Sequence, residues 1–141
     1  MYTFETKIRV RYAETDKMGY VYYGNYATYF EVARVEALRN LGFNYKQMED
    51  GGIMLPVLSY STTFYKPAFY DDELTIKLKV KEIPSTRINF YFETFNSVGE
   101  HLNTAEVTLV FVDIKKNKPC YPPQAFVSAF ENCFKDEKVS S

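Results

Sequence analysis

The 141-residue chain is 46% hydrophobic and 25% charged, which predicts one globular domain over residues 1–141 with a core that requires no disulfide or metal. Its net charge of -1 excludes a whole-protein field for nucleic acid or anionic membrane. No apolar run reaches the length of a membrane span, and Met1–Lys7 lacks the apolar stretch of a signal peptide, so a cytoplasmic protein is expected. Cys120 and Cys133 show no CxxC spacing and read as two thiols in a reducing compartment. Aromatic content is unusual, with 13 Tyr and 12 Phe but no Trp, and points to an aromatic core, an oligomer interface or a pocket for an apolar ligand.

Residues 2 to 12 alternate, with Tyr2, Phe4, Thr6, Ile8, Val10 and Tyr12 on one face and Thr3, Glu5, Lys7, Arg9 and Arg11 on the other. A period of two with one polar face predicts a half-solvated strand. The segment Glu14–Gly24 breaks this period, and Gly19 and Gly24 favour an irregular turn. From Asn25 the period becomes helical: Tyr26, Tyr29, Phe30, Ala33, Ala37, Leu38 and Leu41 share one stripe. Asn25 reads as the N-cap of that helix and Gly42 as its C′ terminator. At about 1.5 Å per residue the helix spans about 25 Å, enough to lie across a small sheet.

Asn44–Asp50 predicts a short second helix. Extended segments follow over 53–66, 73–83, 87–95 and 102–114, the last with an apolar face that switches near Val110 and implies a bulge. Lys115–Pro119 reads as a polar turn and Pro122–Phe134 as a terminal helix with Phe126, Ala129, Phe130 and Cys133 on one side. This order predicts an α+β fold, an antiparallel sheet of about five strands wrapped on one long helix, with a C-terminal helix added. A bare sheet edge and the aromatic surplus together predict a symmetric homo-oligomer.

Elimination narrows the chemistry. The single histidine, His101, sits beside Gly99-Glu100 and reads as an exposed turn residue, which leaves no Ser-His-Asp or Cys-His arrangement. One His and two scattered Cys argue against zinc, and GxGxxG and GxxxxGK[ST] are both missing. Hydrolytic chemistry therefore falls to carboxylates and backbone amides. Asp16 is the leading candidate, either as general base toward water or as nucleophile. The amides that open the helix at Tyr23, Gly24 and Asn25 have the polarity to hold an oxyanion, and Tyr22, Tyr23 and Tyr26 supply apolar walls. From the pattern alone an Asx-turn aspartate followed by core tyrosines is the more ordinary reading, and the catalytic one stands open beside it. Asp71-Asp72 reads as a turn cap rather than a metal pair.

The stretch Arg11-Tyr12-x-Glu14-Thr15-Asp16-x-Met18-Gly19-x-Val21-Tyr22-Tyr23-x-Asn25-Tyr26 resembles the signature of the 4-hydroxybenzoyl-CoA thioesterase-like branch of hotdog-fold acyl-CoA thioesterases. Similarity continues through Phe30-Glu31-x-Ala33-Arg34, Pro56-Val57 and Tyr70-Asp71-Asp72-x-Leu74-Thr75-Ile76. The resemblance implies a hotdog fold that dimerises or tetramerises with active sites at the subunit interface, acyl-CoA as substrate and no cofactor. It implies Asp16 as the catalytic carboxylate, the Tyr23 amide as carbonyl donor, and Gly19, Val21, Tyr22, Asn25 and Tyr26 as substrate-binding positions. Many relatives carry histidine at the position of Tyr23, and the aromate-hydrolysing branch carries tyrosine. Basic residues that hold CoA phosphates in some relatives correspond here to Pro84-Ser85-Thr86-Arg87, where Arg87 alone is basic. Lys77, Lys79 and Lys81 are substitutes for that role or a solvated strand face. Hotdog dehydratases and hydratases use a histidine that neither the helix nor the turn before it contains. A non-catalytic acyl-thioester binder or dimeric interaction module is the alternative.

Overall fold

The structure, a computed structural model, describes residues 1–139. Its strands are β1 (Tyr2–Arg9), β2 (Ile53–Met54), β3 (Val57–Phe64), β4 (Glu73–Val80), β5 (Arg87–Phe95), β6 (His101–Val110), β7 (Val112–Asp113) and β8 (Lys118–Pro119). Its helices are α1 (Asn25–Asn40), α2 (Tyr45–Asp50) and α3 (Gln124–Val139), and a 3-10 turn occupies Tyr12–Glu14. Five strands form one antiparallel sheet in the order β1-β4-β5-β6-β3. The chain thus passes from one edge strand, β1, through α1 to the opposite edge strand, β3, and then fills the middle with the β4-β5-β6 meander.

Alternation along the central strands aims one face of the sheet at α1. Leu74, Ile76, Leu78 and Val80 of β4 and Ile88, Phe90 and Phe92 of β5 are buried there. The α1 stripe answers with Tyr26, Tyr29, Phe30, Ala33, Ala37 and Leu38. Phe30 stacks on Phe92 at 4.7 Å between ring centroids and meets Tyr60 of β3 edge-on at 6.2 Å. The two alanines of the stripe let the helix backbone approach the sheet, and the aromatic surplus divides between this core and exposed rings that include Tyr23, Tyr60, Phe64 and Tyr65.

Helix α1 stops by a Schellman arrangement. Gly42 adopts φ +91, its amide donates to Arg39 O at 3.0 Å, and the Phe43 amide donates to Leu38 O at 2.8 Å. Asn44 caps α2 by accepting from the Lys46 and Gln47 amides. The N-terminus of α1 differs from expectation. Gly24, not Asn25, is the capping residue, and the Asn25 side chain donates instead to Glu14 O at 2.8 Å. Tyr12 also leaves the alternation, because the chain curls into the 3-10 turn after Val10 and exposes that ring.

Other differences follow from long-range pairing. The extended segment 53–66 divides at Pro56, so that β2 joins β7 and β8 in a small second sheet while β3 pairs with β6. The switch near Val110 is the break between β6 and β7 at Phe111, which is itself buried. Lys115–Pro119 is a turn whose end adds β8, with Asn117 at φ 51. His101 is not an exposed turn residue: it opens β6 opposite Phe95, half-buried and stacked on that ring at 4.9 Å.

Helix α3 closes the end of the core near β1. Phe126 is enclosed by Phe43, Phe111 and Phe130 at 5.1 to 5.4 Å. Tyr2 meets Phe130 edge-on, and its hydroxyl donates to Ala37 O at 3.0 Å. Truncating Phe92, which is buried beneath Phe30, removes the central ring of this stack. Phe92→Ala is expected to lower unfolding free energy by about 3–5 kcal/mol in chemical denaturation; a loss under about 1 kcal/mol would contradict the packing described.

Candidate active site

Between β1 and α1 the chain folds into a loop anchored at both ends by one residue, Glu14. Its side chain is 12% exposed and accepts from the Arg11 amide at 2.8 Å, from the Arg11 guanidinium at 3.0 Å and from the Tyr29 hydroxyl at 2.9 Å. Its carbonyl accepts from the Tyr22 amide and the Asn25 side chain, both at 2.8 Å. Glu14 therefore joins the strand exit, the far side of the loop and the buried face of α1. Burial works to raise its pKa, but the Arg11 and Tyr29 hydrogen bonds outweigh it and hold the carboxyl below the usual range. Burial first, and then the Glu14 bond, push the Tyr29 phenol well above its ordinary value.

Asp16 lies two residues further on, half-buried. Its Oδ1 accepts from the Met18 amide at 2.9 Å and the Tyr20 amide at 3.2 Å. The Gly19 amide donates to Asp16 O at 3.0 Å, and Gly19 takes φ +81, a conformation that a side chain would strain. Asp16 is thus an Asx-turn residue, as half of the sequence reading had it, and Oδ1 is the atom that makes the turn. Oδ2 has no hydrogen-bond partner among the described residues. The far side of the loop is pinned to the segment after β3, since the Val21 amide donates to Ala68 O at 2.9 Å and Tyr20 bridges Phe69.

A cleft of about 290 Å³ opens between these two segments. Asp16, Tyr20, Val21, Tyr23 and Tyr26 line it from the loop and helix side, and Phe64, Tyr65, Lys66 and Pro67 from the other. Tyr26 packs on Phe64 at 5.4 Å, and burial, helped by the Asp72 charge, pushes its phenol up to about 12. Tyr23 is 66% exposed, but its amide has no acceptor among the described residues and stands in the turn just before the Gly24 cap of α1. Lys66, on the rim, pairs with Glu100.

Asp16, Val21, Tyr23 and Tyr26 are therefore brought together. Gly19 shapes the turn, and Tyr22 is an exposed ring packed on Tyr23 at 4.8 Å. Asn25 spends its side chain on Glu14, while Arg87 lies at the far end of β5, opposite Val110, and does not reach the cleft within one chain. Lys77, Lys79 and Lys81 belong to the other face of the sheet, where they engage Phe95, Glu93 and Tyr91. Larger hollows on that face, of about 390 and 560 Å³, are lined by these paired strand side chains. In the turn before β4, Asp72 Oδ2 accepts from the Phe69 amide, and Asp71 O accepts from the Arg9 guanidinium of β1. Sequence reasoning missed Glu14 as the organiser and missed Phe64–Pro67 as the second wall. The buried Glu14 three residues after Arg11 was the available signal for the first.

A long helix seated on a five-stranded antiparallel sheet, with a cleft at the opening turn of that helix, is the hotdog architecture. The chain matches the thioesterase-like superfamily over residues 10–130 and belongs to that superfamily of enzymes. It is 33% identical over 128 residues to the acyl-CoA thioester hydrolase YbgC of Escherichia coli O6:H1, covering 91% of this chain and 96% of that protein. It is 31% identical over 130 residues to the acyl-CoA thioesterase YbgC of Haemophilus influenzae, covering 92% and 95%. The structure superposes on a DHNA-CoA thioesterase from Staphylococcus aureus with a TM-score of 0.92 and 34% identity, covering 100% of this chain and 97% of that one. Among the described residues no helix is long and apolar enough to cross a membrane.

The Glu14 network has a pH signature. A carboxyl held below its unfolded pKa adds stability above the ordinary carboxylate range, and that stability is lost as pH falls through the depressed folded value. Glu14→Gln is expected to flatten the acid limb of the stability curve below pH 5, measured by urea unfolding at stepped pH. An acid limb identical to that of the parent would contradict the assignment.

Proposed function

We propose that the protein is an acyl-CoA thioesterase: water and an acyl-CoA give the free acid and CoA thiol. The observation that carries this reading is the presence on one aromatic-walled cleft of a carboxylate with an oxygen, and a residue with an amide, that have no hydrogen-bond partner among the described residues. Asp16 Oδ2 either takes a proton from the attacking water or attacks the thioester carbonyl itself. The Tyr23 amide, backed by the positive end of α1, holds the carbonyl oxygen as it gains charge. Asp16 lines the cleft and spends only Oδ1 on the turn, so the Asx turn and the catalytic role are compatible. Tyr20, Val21 and Tyr26 with Phe64 bound the acyl chain, and the thioester needs no cofactor to be cleaved.

The relatives named for acyl-CoA hydrolysis match almost end to end, which supports the same reaction here. The free thiols of Cys120 and Cys133 accord with a cytoplasmic enzyme. The working unit is a homodimer formed along β3. That strand is a bare edge, and Val57, Leu58, Tyr60 and Phe64 on it are exposed. Antiparallel pairing of two β3 strands about a twofold axis sets the Val57 end of one copy beside the Phe64 end of the other. It carries the Arg87 end of the second copy toward the cleft of the first, where CoA phosphates would lie.

Free thiol released from a panel of aliphatic and aryl acyl-CoAs, with Asp16→Asn beside the parent, tests the chemistry. A fall in kcat of at least about 100-fold is expected; equal rates, or no hydrolysis by either, would overturn it. Light scattering tests the assembly: a dimer or tetramer at micromolar concentration is expected, and a stable monomer would refute the shared site.

A further inference from the structure

The second wall of the cleft, residues 64–67, is held by the start of β6 and the turn that precedes it. The Tyr65 and Lys66 amides both donate to Leu102 O, at 2.8 and 3.1 Å. The Lys66 side chain pairs with Glu100, and the Tyr65 hydroxyl meets Thr104 Oγ1 at 3.2 Å. The Tyr65 ring lies against the His101 imidazole, 5.2 Å between centroids, and that imidazole stacks on Phe95 at 4.9 Å. His101 is the only histidine of the chain, and the proposed reaction does not use it. Its Nε2 is enclosed without a hydrogen-bond partner, 3.5 Å from Glu93 Oε2.

In the neutral ring Nε2 faces the Glu93 carboxylate with no charge to offer it. Protonation creates an ion pair with Glu93 and places a cation beside the Tyr65 and Phe95 rings. Lys79, 3.2 Å from the other Glu93 oxygen, and Lys77, 4.9 Å from the Phe95 ring centroid, oppose that charge, but each already has its own partner. The Lys66 and Asn96 bonds hold the Glu100 carboxyl below the usual range, so Glu100 keeps its charge above pH 5 and the Lys66 grip does not change with it. Histidine is the side chain that changes charge between about pH 5 and 8.

We infer that His101 is a positioning residue for the cleft: when protonated it clamps Tyr65 and tightens the second wall, and when neutral it releases that wall. The inference rests on the thioesterase reading only for what the cleft binds. The sign follows from the contacts, since substrate that needs the wall in place is held better below the histidine range than above it. By linkage, the factor by which protonation favours binding is a factor in KM.

The test measures KM for hexanoyl-CoA and benzoyl-CoA at pH 6 and pH 8, with kcat read separately. In the parent the KM of a cleaved substrate is expected to rise about 5-fold from pH 6 to pH 8. In His101→Phe, which keeps a ring between Tyr65 and Phe95 but cannot titrate, and in Glu93→Gln should the first variant not fold, that ratio is expected to fall toward 1. A parent ratio near 1, or a ratio that the variants leave unchanged, overturns the clamp. Amide hydrogen exchange reads the clamp with no substrate present. Corrected for intrinsic rates, protection of the Tyr65 and Lys66 amides is expected to drop about 5-fold from pH 6 to pH 8 in the parent and to stay level in the variant. Equal protection at both pH values, or the same drop in the variant, overturns the clamp while leaving the thioesterase reading intact. If neither thioester is cleaved, the thioesterase reading fails separately and the exchange measurement alone decides the clamp.

Discussion

The buried carboxylate of Glu14 is the constraint on which the site depends. A charged side chain at 12% exposure is tolerable only when its oxygens are satisfied, and here an amide, a guanidinium and a phenol satisfy them. Those donors come from two residues, Arg11 just before the 3-10 turn and Tyr29 on the first half of α1. Pairing one side chain therefore fixes the relation between sheet edge, loop and helix. The same residue holds the returning chain through its carbonyl, so a loop with little regular structure has both limbs set by one position.

From this follows a division of labour that uses backbone more than side chains. Asp16 contributes one oxygen to its turn and keeps the other free, and Gly19 supplies the conformation that closes the turn without strain. The Tyr23 amide, in the turn just before the Gly24 cap of α1, is left without an acceptor among the described residues, whereas the Asn25 and Tyr26 amides donate to Tyr22 O and Tyr23 O. Neither group is unusual alone. Their value lies in the clamp of Val21 on Ala68, which brings the loop against the segment leaving β3 and makes a walled cleft of what would otherwise be an exposed turn.

Elements whose identity depends on local periodicity were legible in the sequence. The alternation over 73–83 and over 87–95, the α1 stripe and the Gly42 stop all reappear in the structure, although β4 ends at Val80 and not at Ile83. Strand order was not legible, because nothing local distinguishes a β3 that pairs with β4 from one that crosses to pair with β6. The second wall of the cleft was missed for the same reason: Phe64–Pro67 meet Asp16 only through that crossover. His101 illustrates the limit in miniature. Its neighbours Gly99 and Glu100 form the turn, but its register opposite Phe95 makes it a half-buried strand residue. Asn25 was assigned to the cap it commonly forms, whereas the demand of Glu14 O for a donor took its side chain elsewhere.

The central claim is that Glu14 serves catalysis by holding Asp16 and the Tyr23 amide in one arrangement. A double-mutant cycle on kcat/KM tests it most directly, using Glu14→Ala, Asp16→Asn and the double variant, each confirmed as folded by circular dichroism. Residues that act as one unit are strongly non-additive. The account predicts that the double variant loses at least about 10-fold less than the product of the two single losses. Losses that multiply would show that Glu14 stabilises the fold without positioning the carboxylate, and would contradict the account.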